Sequence, residues 1–362
     1  MADRLRFAFA TAADDAELRG LLRTNPMRGA IDVAFTHEPD YFRGVGLGGA
    51  DDVTLLARED GRLVAAGRCT TRACWVNGEI RRVAYLGELR LDASVQGRWD
   101  IVREGYAFFA ESYARQPAEF CFTSIVADNT RARQLFERGV RGLPRYAFLG
   151  DYTTLVLPAA RGRPPAGLEV TDATGVPPQE LADFLNAAAR CRQLALYWTP
   201  DILAQLAMSG LGPEAFVVLR HAGRMVACAG VWDQRAFRQV RIVGYRPPLS
   251  AVRPFYNVVA PLAGQPRLPP PGSILNQALL TPFAWNPVQA GAQASLLQAV
   301  RQSASRRGFH HVVLGETPDA PWLGALRGRR YASRLYRVCW PGVPPAVSTL
   351  DERPCLPDIG LL

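Results

Sequence analysis

"LRLDASVQGRWDIV", Leu89–Val102, is the stretch whose reading decides the fold of this 362-residue chain. A strand-like run, Leu89 to Leu91, breaks into a short loop, and helical spacing begins at about Asp100. The first turn of a helix leaves backbone N–H groups without partners, so such a junction can hold an anion. Loops that do this are usually rich in glycine. This one has Gly97 alone, followed by Arg98, Trp99 and Asp100. It reads either as an anion cradle or as a structural turn with Trp99 in the core.

The surroundings extend the pattern. Val83–Leu91 is a near-continuous apolar run, which predicts a central buried strand, and Glu88 interrupts it. Before it, Val53–Arg58 and Arg62–Thr70 form a hairpin across Asp60-Gly61. After it come a helix (Val102, Tyr106, Phe109 and Tyr113 at helical spacing) and a strand, Phe120–Ala127. "DNTRARQLFERG" (128–139) reads as a capped helix with Ala132, Leu135 and Phe136 inward, and Tyr146–Leu157 supplies the last strand or strands. A short strand at Phe7–Phe9 and a helix at Asp14–Arg23 open the series. The order β-α-β-β-β-α-β-α-β predicts an α/β protein with a mixed sheet and helices on both faces.

The pattern is written twice. "LLAREDGRLVAAG" (55–67) resembles "VLRHAGRMVACAG" (218–230), with Arg58, Gly61, Arg62, Val64 and Ala65 matching Arg220, Gly223, Arg224, Val226 and Ala227. "DDAELRGLL" (14–22) parallels "PPQELADFL" (177–185), and "RYAFLGDYTTLVLP" and "RYASRLYRVCWP" close the two halves. Two tandem domains are expected, 1–157 and 168–340, joined by a Pro- and Gly-containing linker at 158–167 and followed by a tail at 341–362. The halves are expected to bury against each other as a pseudo-dimer.

Composition narrows the function classes. The net charge is +9, with 42 Arg and no lysine, which excludes Schiff-base chemistry on a lysine. Residues 1–157 balance 21 Arg with 21 acidic residues, and residues 158–362 set 21 Arg against 12, so the whole excess lies in the second half. It is either a diffusely charged surface or a preference for an anionic partner. The seven cysteines form no C-x-x-C pair and the four histidines have no zinc spacing, so no metal is expected and the thiols read as reduced and cytoplasmic. No secretory signal and no spanning helix is read in the sequence.

The strand–loop–helix at the centre, with "N-x-x-A-x-x-L-F-x-x-x-G" after the next strand, resembles the GNAT acetyltransferase superfamily. The resemblance covers most of 5–157 and is weaker over 168–340. It implies a splayed central strand with acetyl-CoA or another acyl-CoA in the wedge. Backbone N–H groups near Leu89, Arg90 and Leu91 would polarise the thioester carbonyl, and the loop after the strand would wrap the pyrophosphate. Gln96 and Gly97 match the first two loop positions. Trp99 and Ile101 fill positions where small residues belong, and Arg98 and Arg103 would supply charge instead. Asp100 completes this segment. Asn129 matches an asparagine that commonly faces the CoA arm and reads equally as an N-cap. Phe136 stands where many members carry a tyrosine that protonates the leaving thiolate, and Tyr146 and Tyr152 are the nearest replacements in sequence.

The resemblance implies an N-acyltransferase acting on a primary amine, in a small molecule or a peptide, by direct attack on the thioester. Glu88 is the expected general base, its pKa raised by burial; an ion pair with Arg90 is the alternative. His37 and Glu38 are weaker candidates on the acceptor side, as is Asp92. The second half is expected to be degenerate: "WNPVQAG" (285–291) lacks the loop's opening, and Glu316 is a weak acidic candidate. Its insert 245–272 holds eight prolines and reads as a rigid excursion, a lid or a partner surface. Two other functions stay open. A Fem-type transferase would use aminoacyl-tRNA, which a poor pyrophosphate loop and a basic second half would suit. A tandem GNAT-like protein with both loops degenerate would bind a ligand or partner without turnover.

Overall fold

The structure is a computed structural model and describes residues 5–263, 267–342 and 346–362. The first half contains β1 (Arg6–Phe9), α1 (Asp15–Thr24), β2 (Ile31–Thr36), β3 (Asp51–Glu59), β4 (Arg62–Val76), β5 (Glu79–Leu91), α2 (Trp99–Tyr113), β6 (Phe120–Val126), α3 (Thr130–Glu137) and β7 (Arg145–Pro158). The second contains β8 (Glu169–Thr171), α4 (Pro178–Ala189), α5 (Pro200–Ala207), β9 (Phe216–His221), β10 (Arg224–Trp232), β11 (Gln239–Tyr245), α6 (Leu249–Val259), β12 (Gln277–Trp285), α7 (Ala292–Arg306), β13 (His311–Glu316) and β14 (Arg329–Cys339).

Tight turns explain the long hairpins. Asp60-Gly61 reverses β3 into β4 with φ of 49° and 84°, left-handed values that suit Asp and Gly. Asn77-Gly78 does the same between β4 and β5 (φ 54° and 75°), so both strands outrun the apolar segments that announce them. The repeat is structural as well as textual. Arg58 Nη1 donates to the Gly61 carbonyl at 2.9 Å, and Arg220 Nη1 donates to the Gly223 carbonyl at 2.9 Å. Each arginine thus ties down the turn three residues beyond it.

Helices cover both faces of the sheet. Leu18, Leu21 and Leu22 of α1 pack on Leu56, Leu63 and Ala66. On the opposite face α2 and α3 lay Val102, Phe109 and Phe136 against Cys69, Ala84 and Cys121. In the second half α7 buries Leu296, Leu297 and Val300 against β9, β10 and β12.

The described strands form one twelve-stranded sheet, in the order β1-β3-β4-β5-β6-β14-β7-β13-β12-β10-β9-β8, and a separate β2–β11 ribbon. Each half's last strand lies beside the other half. β14 pairs with β6, β7 pairs with β13, and the two meet at the centre. The β2–β11 ribbon is a further contact between halves. Beyond β7, the segment 159–167 has neither helix nor strand, and the Arg163 carbonyl accepts from Gln298 and Gln302 of α7. Residues 346–362 return over both halves: Asp351 N donates to Asn77 Oδ1 at 2.9 Å, Leu356 N donates to Gln193 O at 3.0 Å, and Leu361 is buried. In the insert, α6 leaves Phe255 and Val258 exposed.

This exchange predicts one cooperative unit. Leu157, on β7, is buried with Leu296, Val300 and Val312 of the second half. Leu157→Ala is expected to cost about 2–5 kcal/mol and to shift a single calorimetric transition that carries both halves. Two transitions, one of them unmoved, would show that the halves unfold separately.

Candidate functional site

The site begins where two parallel strands part. β5 and β6 are paired from Val83↔Phe120 to Leu86↔Thr123, and Thr123 Oγ1 donates to the Leu86 carbonyl at 2.6 Å. Beyond this point Gly87–Leu91 and Ser124–Val126 no longer pair with each other, although both strands continue. The resulting wedge exposes one backbone edge of β5, including Leu89, Arg90 and Leu91.

A bulge sits at its apex. Ala66 opposes Arg90 and Arg68 opposes Gly87, so two residues of β5 face Gly67 alone. One of the two is Glu88, with φ at 56°, a left-handed value that a non-glycine residue adopts at a cost of about 1–2 kcal/mol. The turn carries its side chain to the face shared by Arg68, Tyr85 and Gly87. Glu88 Oε1 lies 2.9 Å from His37 Nε2, which must donate because the carboxylate only accepts. Tyr41 OH donates to Oε2 at 3.3 Å, and Arg68 Nη1 and Arg238 Nη2 each stand 4.0 Å from the carboxylate.

The electrostatics correct one expectation. Burial pushes the Glu88 pKa up, but His37, Arg68 and Arg238 outweigh it and hold the carboxylate well below its ordinary range. Glu88 is therefore ionised at neutral pH. It forms no ion pair with Arg90, whose Nη1 turns back to the Leu89 carbonyl at 3.0 Å. Asp52 behaves similarly: burial raises its pKa, and the charge and hydrogen bonds of Arg68 bring it below normal.

His37 is 2% exposed and stacks on Tyr41 with ring centroids 5.0 Å apart. The second half holds this segment in place. Gln239 Oε1 accepts from Thr36 Oγ1 (2.9 Å) and Glu38 N (3.0 Å), while its Nε2 donates to the Glu38 carbonyl (2.7 Å). The Glu38 carboxylate turns away to Arg19 at 2.6 Å and Arg23 at 3.4 Å. Asp92 caps its own loop through Ser94 N at 3.0 Å and pairs with Arg62 at 2.7 Å.

The loop after β5 is half closed. Gly97 keeps the left-handed backbone (φ 94°) of a close-approach position. Arg98 is already bound, to Glu59 at 2.6 Å and to Asp100 at 2.6 Å. Trp99 is not core, since it is 39% exposed with the Arg131 guanidinium 5.6 Å from its ring centroid. Ile101 is the buried residue here, packed with Val95. Arg131 stands over the loop: a Cβ at Gly97 would lie 3.0 Å from its Nη2. Arg103 instead packs on Gly142.

Asn129 is an N-cap, its Oδ1 accepting from Ala132 N at 3.1 Å. Phe136 stacks on Tyr146 at 4.4 Å, and the Tyr146 hydroxyl is bonded to that of Tyr106 at 2.6 Å. Tyr152 is buried and donates to the Pro357 carbonyl at 3.1 Å. Both hydroxyls are thus taken up by partners within the protein. The Tyr85 hydroxyl, 2.8 Å from Ser124 Oγ, links the two strands where they part.

The second half repeats the divergence. β12 and β13 pair only from Gln277↔His311 to Leu279↔Val313. Phe283, Trp285 and Trp322 cluster beside its β12 arm, with Arg192 4.9 Å from the Trp285 ring centroid. Glu316 is buried, its pKa raised by burial, and accepts from Thr317 N at 2.9 Å.

No family model and no curated protein matches this sequence. Solved structures do. A GCN5-related N-acetyltransferase from Sphaerobacter thermophilus is 14% identical with a TM-score of 0.59, covering 96% of this chain and 100% of that one. A tandem GNAT protein from the clavulanic acid biosynthesis pathway is 13% identical, TM-score 0.55, covering 92% and 98%. A GCN5-related N-acetyltransferase from Anabaena variabilis is 10% identical, TM-score 0.50, covering 92% and 72%. At these identities the likeness is one of fold.

Proposed function

We propose, from the tandem GNAT fold as premise, that the first half is an acyl-CoA-dependent N-acyltransferase with acetyl-CoA as its donor and a primary amine as acceptor. The observation that carries this is the β5–β6 wedge with an ionised Glu88 at its apex. The free edge of β5 at Gly87–Leu91 fits a pantetheine arm, because its backbone groups have no strand to pair with there. For the pyrophosphate the fit is Gly97 with Arg131, since Arg98 is neutralised by two carboxylates and Asp100 holds the start of α2.

In this reading the acceptor nitrogen attacks the thioester carbonyl, the C–N bond forms and the C–S bond breaks. Glu88 accepts a hydrogen bond from the nitrogen and aims its lone pair. Once the C–N bond forms, the nitrogen is cationic, its two protons become far more acidic, and one of them must leave. A carboxylate of low pKa suffices to receive it, and His37, Tyr41 and Arg68 keep that carboxylate oriented. The thiolate leaves without needing an acid.

Calorimetry with acetyl-CoA tests the donor. Micromolar binding is expected, with Arg131→Ala weakening it about tenfold, the loss of one charge-assisted contact. Arg98→Ala is expected to change it less than threefold. No binding by the unmodified protein would overturn the reading and leave the aminoacyl-tRNA and non-catalytic alternatives. A tenfold loss in Arg98→Ala alone would return the cradle to Arg98.

A further inference from the structure

We infer that the cleft on the Glu88 face of the β4–β5 ladder is an oxyanion subsite, with Arg72 as its principal cation and Arg68 and Arg238 beside it. It would take a carboxylate or phosphate group carried by the acceptor; only the word acceptor rests on the transferase reading.

The cleft is narrow and open to solvent, and lies among Arg68, Arg72, Tyr85, Glu88, Arg238 and Leu362. Its walls come from β4, β5, the approach to β11 and the returning tail. The balance of charge within it is uneven. Asp52 is consumed by Arg68 Nη2 at 2.9 Å and Nε at 3.1 Å, by Gly46 N at 2.7 Å, and by the Thr70 hydroxyl. Glu88 is consumed first by His37. Asp358, across the adjoining pocket, faces Leu196 N at 2.9 Å and forms no ion pair among the described residues.

That leaves the cations under-matched. Arg68 is 7% exposed, yet its buried Nη1 has no hydrogen-bond partner. Arg238 donates through Nη1 to the main-chain oxygen of Leu362 at 2.8 Å and stands 4.0 Å from Glu88. The Arg72 side chain makes no hydrogen bond or close ion pair among the described residues, and the Asp358 carboxylate acts on it only at longer range. Burial depresses the pKa of both Arg72 and Arg238, which reflects the same lack of compensating charge. Desolvated guanidinium groups are retained where an anion completes them, and their planar fork matches carboxylate and phosphate oxygens. An acceptor with its amine at Glu88 and an acidic group at Arg72 would give the buried Arg68 Nη1 and the Arg72 guanidinium an anionic partner.

The test uses the full chain without acetyl-CoA and without turnover. Inorganic phosphate and malonate are titrated by calorimetry in low-chloride buffer, into the unmodified protein, Arg72→Gln, Arg72→Lys, Arg238→Gln and the surface control Arg327→Gln. One anion is expected to bind at millimolar strength, and the better of the two identifies the acidic group. Arg72→Gln is expected to weaken it at least tenfold, Arg72→Lys and Arg238→Gln less, and Arg327→Gln not at all. Binding of neither anion, or unchanged binding in a folded Arg72→Gln, overturns the subsite. If Arg72→Gln does not fold, Arg238→Gln and Arg72→Lys decide: both binding like the unmodified protein overturns it. Failure of acetyl-CoA to bind leaves these results standing and removes only the acceptor role.

Discussion

Glu88→Gln is expected to lower kcat for acetyl transfer by at least about 10²-fold, within the range that a positioned proton acceptor contributes. The amide keeps the shape of the carboxylate and can still meet Tyr41, but it cannot take a proton from nitrogen. Acetyl-CoA affinity is expected to change less than threefold, because the donor would lie along β5 beyond the apex. The pH profile is a second readout. A glutamate with a raised pKa would place an acidic limb near pH 6. With Glu88 held well below its ordinary range, the rate should instead follow deprotonation of the acceptor amine. Initial rates against pH with two amines of different basicity check this: the limb should move with the amine. A Glu88→Gln protein as fast as the unmodified one would remove the carboxylate from the mechanism.

Asp52→Ala is expected to cost about 3–5 kcal/mol of stability, the penalty for stranding one partner of a buried ion pair. Arg68 and Asp52 are both buried beneath the site and joined at 2.9 Å. The cation would then keep only the neutral Gly44 carbonyl at 3.2 Å and Glu88 at 4.0 Å. The same pair predicts acid sensitivity. The folded pKa of Asp52 lies below its unfolded value, so its contribution is complete above about pH 4 and declines as pH falls through the folded pKa. Chemical denaturation from pH 7 to pH 3 should show stability falling in the unmodified protein. In Asp52→Ala the fall should be shallower. Equal slopes would assign the acid sensitivity to other carboxylates.

Much of the fold could be read from local chemistry. Asp60-Gly61 announces its hairpin, Leu18, Leu21 and Leu22 mark the buried face of α1, and the repeated arginine-to-glycine spacing marks two copies of one unit. Asn77-Gly78 is an equally strong turn signal and lengthens β4 and β5 beyond the apolar run. The site was legible only in part. Glu88 stood out as an acid within an apolar strand, and it does sit at the apex of the wedge. Its setting was hidden because a bulge overrides strict alternation, which is why Arg90 seemed the natural partner. Gln239 lies about 200 residues from His37 and reaches the residues on either side of it, Thr36 and Glu38, through the β2–β11 ribbon. Arg68, Arg72 and Arg238 look like three unremarkable arginines until the tail and second half fold over them.

The exchanged strands also fix an order of events during synthesis. β6 offers a bare strand edge from the moment residue 126 leaves the ribosome, and its neighbour β14 ends at residue 339. More than half of the chain must emerge before that edge is covered. Until then the nascent first half carries an adhesive border that any other extended chain can occupy. A message cut at the linker would therefore yield a sticky fragment rather than a small enzyme. Vectorial completion, with the last strand closing the first half, makes the finished protein all or nothing.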